Sequence, residues 1–313
     1  MAKFHKLKVA DVRKETDDCV SVALTVPSHL KSEYKFIQGQ YLTLKLFVVG
    51  EEVRRSYSIC SGPLENEMRV AVKRVRGGKG SNFINDNLKA GDEVEVMTPM
   101  GSFHSPMNAS HKKNYVLFAG GSGITPMLSI VKTVLQSEPD SSLIMFYANL
   151  NEESTIFKKQ LDVLAQKNSS RFILYYIFDK PSAQIAELYK GIMTKEKVKI
   201  LLEKHIKLSN DNEFFICGPT PMMDNVREVV EEKKVEKQKI HIEYFKAAAA
   251  STSPSLGKIT SKVTVVMYGI ETSFELESTG KAVLDAALDA GVDVPFACKG
   301  AVCATCRGKI IEG

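Results

Sequence analysis

YVLFAGGSGITPMLSIVKTVLQ, residues 115–136, decides the architecture of this chain. YVLFAG is a continuous apolar run, the pattern of a strand buried on both faces. Gly120, Gly121 and Gly123 make a turn, and from Thr125 the apolar positions fall at helical spacing. A glycine turn between a strand and a helix is the context in which backbone N–H groups cradle a phosphate. It is not the G-x-G-x-x-G fingerprint, because Pro126 stands where the last glycine would fall.

The unit repeats downstream. LIMFYAN and ESTIFKKQLDVLAQ, RFILYYIF and KEKVKILLEKHI, then EFFICG and PMMDNVREVVEE alternate strand with helix, and KIHIEYF adds a last strand. Such alternation predicts an α/β doubly wound parallel sheet over residues 106–245. A second strand-to-helix turn, CGPTPMM at 217–223, lies at the carboxyl end of a later strand, where open α/β sheets bind ligands. HIEYF, at 241–245, reads as sheet core, with His241 structural.

Residues 1–105 read differently. LKVADVRKE, CVSVALTVP, QYLTLKLFVV, VRRSYSICS, MRVAVKRV and DEVEVMTP are short alternating or β-branched runs divided by Gly, Pro, Asp and Asn. They predict a small antiparallel β-barrel. Within it, RSYSICS (55–61) sets an arginine, an aromatic and hydroxyls on one strand. A guanidinium there can pair with phosphate and a ring can pack on a flavin. By itself the segment would be an ordinary edge strand. KRVRGGKGSNFINDNL follows, with glycines leading into a helix expected to begin near Ser81, whose free N–H groups suit phosphate. The two together favour a flavin site.

KAAAASTSPSLG, residues 246–257, reads as a linker, although four alanines could extend a structured end. Residues 258–313 begin with a hairpin, KVTVVMYGIETSFELES. A helix follows, with Thr279 as its expected N-cap and Gly291 as its stop. Cys298, Cys303 and Cys306 then stand at C-x4-C-x2-C, the plant-type spacing for a 2Fe–2S cluster, which requires one more cysteine downstream. Gly300, Ala301, Ala304 and Gly308 leave room for backbone N–H groups to turn toward the sulfurs. A zinc knuckle or idle thiols would be the plainer reading, but hairpin, helix and loop in that order favour the cluster. The fourth cysteine is missing from this sequence, so the ferredoxin module is expected to be incomplete. Cys19, Cys60 and Cys217 lie in the other modules.

The chain has 313 residues, 44% hydrophobic and 25% charged, with net charge +5. The charge is too small to argue for nucleic acid. Residues 258–313 hold six Lys/Arg against seven Asp/Glu, so the positive balance lies in the rest. No apolar run reaches membrane-spanning length, and MAKFHKLKVADVRKE lacks a signal-peptide core. The expectation is a cytoplasmic protein with no membrane and no nucleic-acid partner.

R-x-Y-S-x-x-S, G-G-S-G-I-T-P, C-G-P-x-P-M-M and a terminal E-x-F, in this order, resemble the ferredoxin–NADP reductase superfamily with a C-terminal plant-type ferredoxin domain. RRSYSICS, AVKRV, AGGSGITPMLSI and CKGAVCATCR also resemble the reductase subunits of phenylacetyl-CoA epoxidases. The resemblance covers essentially the whole chain. It implies an NAD(P)H-dependent oxidoreductase that passes electrons from NADH or NADPH through FAD and a 2Fe–2S cluster to an oxygenase component.

The resemblance also implies roles for residues. Arg55 would bind the flavin phosphates, with Ser56 beside it. Tyr57 would pack on the flavin, and Ser58 would hydrogen-bond near its reactive nitrogen. Lys73, Val75, Gly80 and Ser81 would complete the FAD contacts. Gly120, Gly121, Gly123, Thr125 and Pro126 would hold the dinucleotide. Cys217, Gly218 and Pro219 would lie near the nicotinamide, and Glu243 and Phe245 would approach the flavin. Ser58, Cys217 and Glu243 are the expected catalytic set, and Cys298, Cys303 and Cys306 the metal ligands.

One departure concerns the dinucleotide. Where the family often has an arginine after the second sheet strand, this chain has Leu150, followed by Asn151, Glu152 and Glu153. That disfavours a 2′-phosphate unless Arg171 or Lys158 compensates. Two other readings remain: the reductase of a Rieske dioxygenase or another monooxygenase, and a flavin diaphorase without a working cluster.

Overall fold

The computed structural model describes residues 3–245, 258–299 and 305–312. The chain divides into two compact units, residues 1–244 and 245–313.

The first unit contains two sheets. Six antiparallel strands form a curled half-barrel: β1 (Phe4–Thr16), β2 (Cys19–Thr25), β3 (Tyr41–Val48), β4 (Glu51–Ser58), β5 (Met68–Lys73) and β6 (Glu93–Met97). Their order is β4-β3-β6-β1-β2-β5. The edges approach each other past β4, where Ile59 pairs with Val70 and the Cys60 N–H donates to the Arg69 carbonyl at 2.8 Å. Leu7, Val9, Val22, Leu24, Leu42, Leu44, Val70, Val72, Val94 and Val96 fill the interior. Helix α1 (Lys79–Asn87) adds Ile84 to this core. It begins two residues before Ser81, with Gly78 as N-cap.

The second sheet is wholly parallel, ordered β11-β10-β7-β8-β9. Its strands are β7 (Asn114–Gly120), β8 (Ser142–Asn149), β9 (Phe172–Phe178), β10 (Asn212–Cys217) and β11 (Ile240–Glu243). Helices α2 (Ile124–Ser137) and α3 (Lys158–Lys167) cover one face, over Tyr115, Leu117, Ala119, Met145 and Tyr147. Helices α4 (Lys195–His205) and α5 (Thr220–Glu232) cover the other, over Val116, Phe118, Ile144 and Phe146. Burial on both faces is why β7 reads as an unbroken apolar run. Each fully buried Phe or Leu contributes roughly 1.5–3 kcal/mol. Helix α3 starts at Lys158, later than the sequence pattern implies. Asn151 and Ser154 bond each other's backbone instead, and Phe157 takes a left-handed φ of 61°. Short polar side chains compete with helix in this way.

The sheet grows from β7 outward. β8 and β9 add on one side, β10 and β11 on the other, so the topological switch point lies between β7 and β10. Several contacts hold the half-barrel against this sheet. Ser129 Oγ on α2 donates to the Ser61 carbonyl at 2.7 Å, Lys132 pairs with Glu65 at 2.9 Å, and the Phe103 ring meets Phe215 edge-on at 5.4 Å.

The second unit holds a hairpin, β12 (Thr260–Met267) and β13 (Ile270–Glu277), and a helix, α6 (Val283–Asp289). Tyr268 and Gly269, with φ of 53° and 81°, make the two-residue turn between Met267 and Ile270. That sign of φ matches the twist of a hairpin. Ala282, not Thr279, caps α6. The Gly280 N–H donates to the Glu277 carbonyl, so the chain makes one more turn before the helix can start. Gly291, at φ 81°, ends the helix as expected. The linker expected at 246–257 lies outside the described residues.

Candidate functional site

The arginine–tyrosine–serine motif occupies the end of β4. Ser56 Oγ lies 3.1 Å from Thr43 Oγ1 on the neighbouring strand, and Tyr57 packs partly into the barrel core. Burial raises the Tyr57 phenol above its ordinary range, so it stays neutral. Arg55 pairs with no carboxylate among the described residues, and its Nη1 donates to the Arg54 carbonyl at 2.7 Å. A Cβ on Gly80 would stand 3.1 Å from Arg55 Cγ, so the glycine lets the arginine stem lie across the first turn of α1. No side chain caps that helix, and its first turn lies against the arginine stem. This pairing is suited to phosphate oxygens.

The remaining residues of that region hold the loop. Ser81 Oγ accepts from the Val75 N–H at 3.1 Å, and Lys73 pairs with Asp18 at 3.4 Å. Val75 is half exposed.

The two strand-to-helix turns of the parallel sheet meet at the switch point. A Cβ on Gly123 would come within 2.1 Å of the Cys217 carbonyl oxygen. A Cβ on Gly120 would meet Pro219 Cδ at 2.5 Å, and one on Gly218 would meet Met222 Cε at 2.7 Å. These glycines exist so that one turn can lie against the other. Gly121 differs: it has φ +50° and open space where a side chain would be. The Tyr147 hydroxyl, on β8, donates to its carbonyl at 3.0 Å. Thr125 and Pro126 are buried in the first turn of α2, where Thr125 Oγ1 donates to the Ser122 carbonyl at 3.0 Å. No short sequence motif reveals Tyr147, because its partner is 26 residues away.

Ser58, Cys217 and Glu243 come together from three strands. Ser58 is buried, and its Oγ donates to Glu243 Oε2 at 3.2 Å. Cys217 and Glu243 are register partners on β10 and β11. Burial raises the Glu243 carboxyl to about 8, against a smaller lowering by the Ser58 hydrogen bond. Burial, then the neighbouring Glu243, pushes the Cys217 thiol up, so it stays protonated. The cluster is uncharged near neutral pH, and one member can gain or lose a proton there. Phe245, two residues beyond Glu243, is exposed. His241 is stacked on Phe215 at 4.4 Å between centroids, consistent with a place in the sheet core.

In the second unit Cys298 and Cys306 are half-buried. Cys303, with Gly300, Ala301 and Ala304, lies outside the described residues. The C-x4-C-x2-C spacing in the sequence offers three thiolates of the kind a 2Fe–2S cluster takes.

Three families match the chain in order. The oxidoreductase FAD-binding domain matches residues 6–105, the oxidoreductase NAD-binding domain 117–228, and the 2Fe-2S iron-sulfur cluster binding domain 266–313. A subunit of the 1,2-phenylacetyl-CoA epoxidase of Escherichia coli K12 is 38% identical over 315 residues, covering 100% of this chain and 88% of the relative. The chain belongs to the ferredoxin–NADP reductase superfamily.

The ferredoxin reductase component of 3-ketosteroid-9-alpha-monooxygenase from Rhodococcus rhodochrous is 30% identical to this reductase, over 98% of it and 86% of the relative. Among solved structures, phthalate dioxygenase reductase, described as modular for electron transfer from pyridine nucleotides to [2Fe-2S], aligns with a TM-score of 0.65. Its identity is 27%, over 97% of this chain and 85% of that one. A ferredoxin NADP+ reductase from Neisseria gonorrhoeae, 21% identical with a TM-score of 0.66, covers 78% of the reductase and shares its fold.

The protein is thus an NAD(P)H, FAD and 2Fe–2S electron-transfer reductase built like the reductase subunits of multicomponent monooxygenases. The residues present fit the two organic groups. Arg55 and the uncapped α1 suit a flavin diphosphate. Gly121 leaves an open turn at the switch point. Among the described residues no helix is long and apolar enough to cross a membrane.

Proposed function

We propose that this reductase supplies electrons to a separate oxygenase component, of the kind that epoxidises an aryl-acetyl-CoA thioester. The observation that carries this reading is the 38% identity with a phenylacetyl-CoA epoxidase subunit along the whole chain. The proposed modules are a flavin barrel at 1–105, a nucleotide domain at 106–245, a linker at 246–257 and a ferredoxin domain at 258–313.

FAD, when bound, supplies the exchange between two-electron nicotinamide chemistry and one-electron cluster chemistry, and the protein positions and tunes the groups. Arg55 and the first turn of α1 would hold the flavin diphosphate. Tyr57, neutral and partly buried, would offer an apolar face with Ser56 beside it. Gly121 and the α2 amino end would take the dinucleotide diphosphate. The glycines at 120, 123 and 218 bring the second turn, with Cys217 and Pro219, close to the first. Ser58 would orient a ring nitrogen, and Glu243 Oε2 would accept the Ser58 proton or hold one itself. With Cys217 neutral, the cleft places no fixed charge against the nicotinamide. Cys298, Cys303 and Cys306 would be three thiolate ligands of the cluster.

The test is reconstitution. With the oxygenase component of a phenylacetyl-CoA epoxidase, the reductase should support NAD(P)H-dependent consumption of phenylacetyl-CoA. Reduction of cytochrome c without thioester turnover would point instead to another partner, such as a steroid monooxygenase or a dioxygenase. Reduction of two-electron acceptors alone would support the diaphorase reading.

A further inference from the structure

The end of β8 bears on which dinucleotide is used. In dinucleotide-binding sheets the strand beside the glycine turn carries the group that reads the adenosine ribose: a carboxylate for a 2′-hydroxyl, an arginine for a 2′-phosphate. Here β7 carries the glycine turn and β8 is its neighbour. β8 ends at Asn149 and runs into Leu150, Asn151, Glu152 and Glu153.

This segment is fixed. Asn151 Oδ1 accepts from the Ser154 N–H at 2.9 Å, and Thr155 Oγ1 donates to the Asn151 carbonyl at 2.9 Å. Glu152 Oε2 accepts from the Ser182 N–H at 2.9 Å, and that bond lowers the carboxyl below its ordinary value. The Asp179 N–H donates to the Asn149 carbonyl at 3.0 Å and the Lys180 N–H to the Leu150 carbonyl at 2.7 Å. The loop carrying Glu152 and Glu153 and the loop carrying Asp179 thus meet through their backbones at the strand end, with the exposed Lys180 on the second.

Arg171 and Lys158, the two cations that the sequence offers in compensation, are engaged elsewhere. The Arg171 guanidinium donates to the carbonyls of Leu135, Glu138 and Ser141, at the amino end of the strands. Lys158 pairs with Asp162 at 2.8 Å and lies over the Tyr176 ring. Leu150 itself is half exposed and offers no donor.

We infer that this reductase prefers NADH to NADPH, with Leu150, Glu152 and Glu153 at the end of β8 as the discriminating residues. A 2′-phosphate there gains no guanidinium and meets the Glu152 carboxylate, which its hydrogen bond to the Ser182 N–H keeps ionised. A ribose diol can donate to the Glu152 carboxylate. The inference rests on the reductase reading of the parallel sheet.

The test is binding to the full-length flavoprotein by calorimetry, using 5′-ADP and 2′,5′-ADP as probes, with NADH and NADPH in stopped-flow flavin bleaching. The expected result is at least tenfold tighter binding of 5′-ADP, about 1.4 kcal/mol, and a matching preference for NADH. Leu150→Arg with Glu152→Gln should bring 2′,5′-ADP to parity or better. Equal or tighter binding of 2′,5′-ADP by the natural protein overturns the inference while leaving the reductase reading intact. Failure of both nucleotides to bleach the flavin overturns that reading itself.

Discussion

Ser58 and Glu243 are 185 residues apart, yet their side chains share a hydrogen bond of 3.2 Å between the end of a barrel strand and the end of the last strand of the parallel sheet. The bond places the arginine–tyrosine–serine motif over the crevice formed by the two glycine turns. It also couples the barrel to a carboxyl whose proton affinity is unusual.

That carboxyl should be visible in stability. Burial lifts Glu243 from its ordinary 4.5 to about 8. The folded protein therefore binds a proton that the unfolded chain has released. The stabilisation is fully present below about pH 4.5 and is lost as pH rises through 8. In urea unfolding of the protein without added nucleotide, natural protein should lose stability relative to Glu243→Gln between pH 5 and 8.5. Parallel profiles would show that Glu243 is ionised throughout.

Glu138 predicts the opposite slope. It is fully buried, and burial alone would raise its carboxyl. Four donors outweigh that and lower it: the Asn108 N–H, Ser141, His111 and Tyr115, all within 3.0 Å. Its contribution is present above pH 4.5 and lost as pH falls through the lowered value. Glu138→Ala would strand these donors and should cost about 3 kcal/mol. Thermal unfolding at pH 7 checks the loss, and a variant within about 0.5 kcal/mol of natural protein would contradict it.

Gly123→Ala tests the packing of the turns. The new methyl would sit 2.1 Å from a backbone oxygen that cannot swing away. Overpacking of this kind costs about 1–3 kcal/mol. The melting temperature should fall, and nucleotide affinity should fall with it. Gly121→Ala meets open space and only φ strain, so its loss should be smaller. Equal effects of the two would remove the close-approach explanation.

Arg55→Ala should yield protein that folds but loses flavin during purification, and Arg55→Lys should retain part of it. The measure is the ratio of flavin to protein absorbance after gel filtration. Full retention by the alanine variant would take Arg55 out of the phosphate site.

Much of this fold can be read from short range. Alternation along Leu7, Val9, Val22 and Leu24 gives the barrel, and the unbroken run Tyr115–Ala119 gives a strand covered on both sides. What the sequence hides is long range. Gly120 and Gly123 look like a phosphate loop, but their absence of side chains serves the neighbouring turn far downstream, at Pro219 and Cys217. Arg171 looks available to a nucleotide until the sheet shows it bonded at the opposite strand ends. Thr279 has the chemistry of an N-cap, yet the turn at Gly280 moves the helix start to Ala282. Ser81 lies in the first turn of its helix as a phosphate contact would, but its hydroxyl holds the loop.

The most direct measurement is an anaerobic titration of the full-length protein with NADH, followed by visible absorbance and electron paramagnetic resonance, with iron and sulfide assayed on the same sample. Bleaching of the flavin bands, with the signal of a reduced 2Fe–2S cluster rising as NADH is consumed, is the predicted result. A flavin spectrum that neither NADH nor NADPH alters would contradict the account.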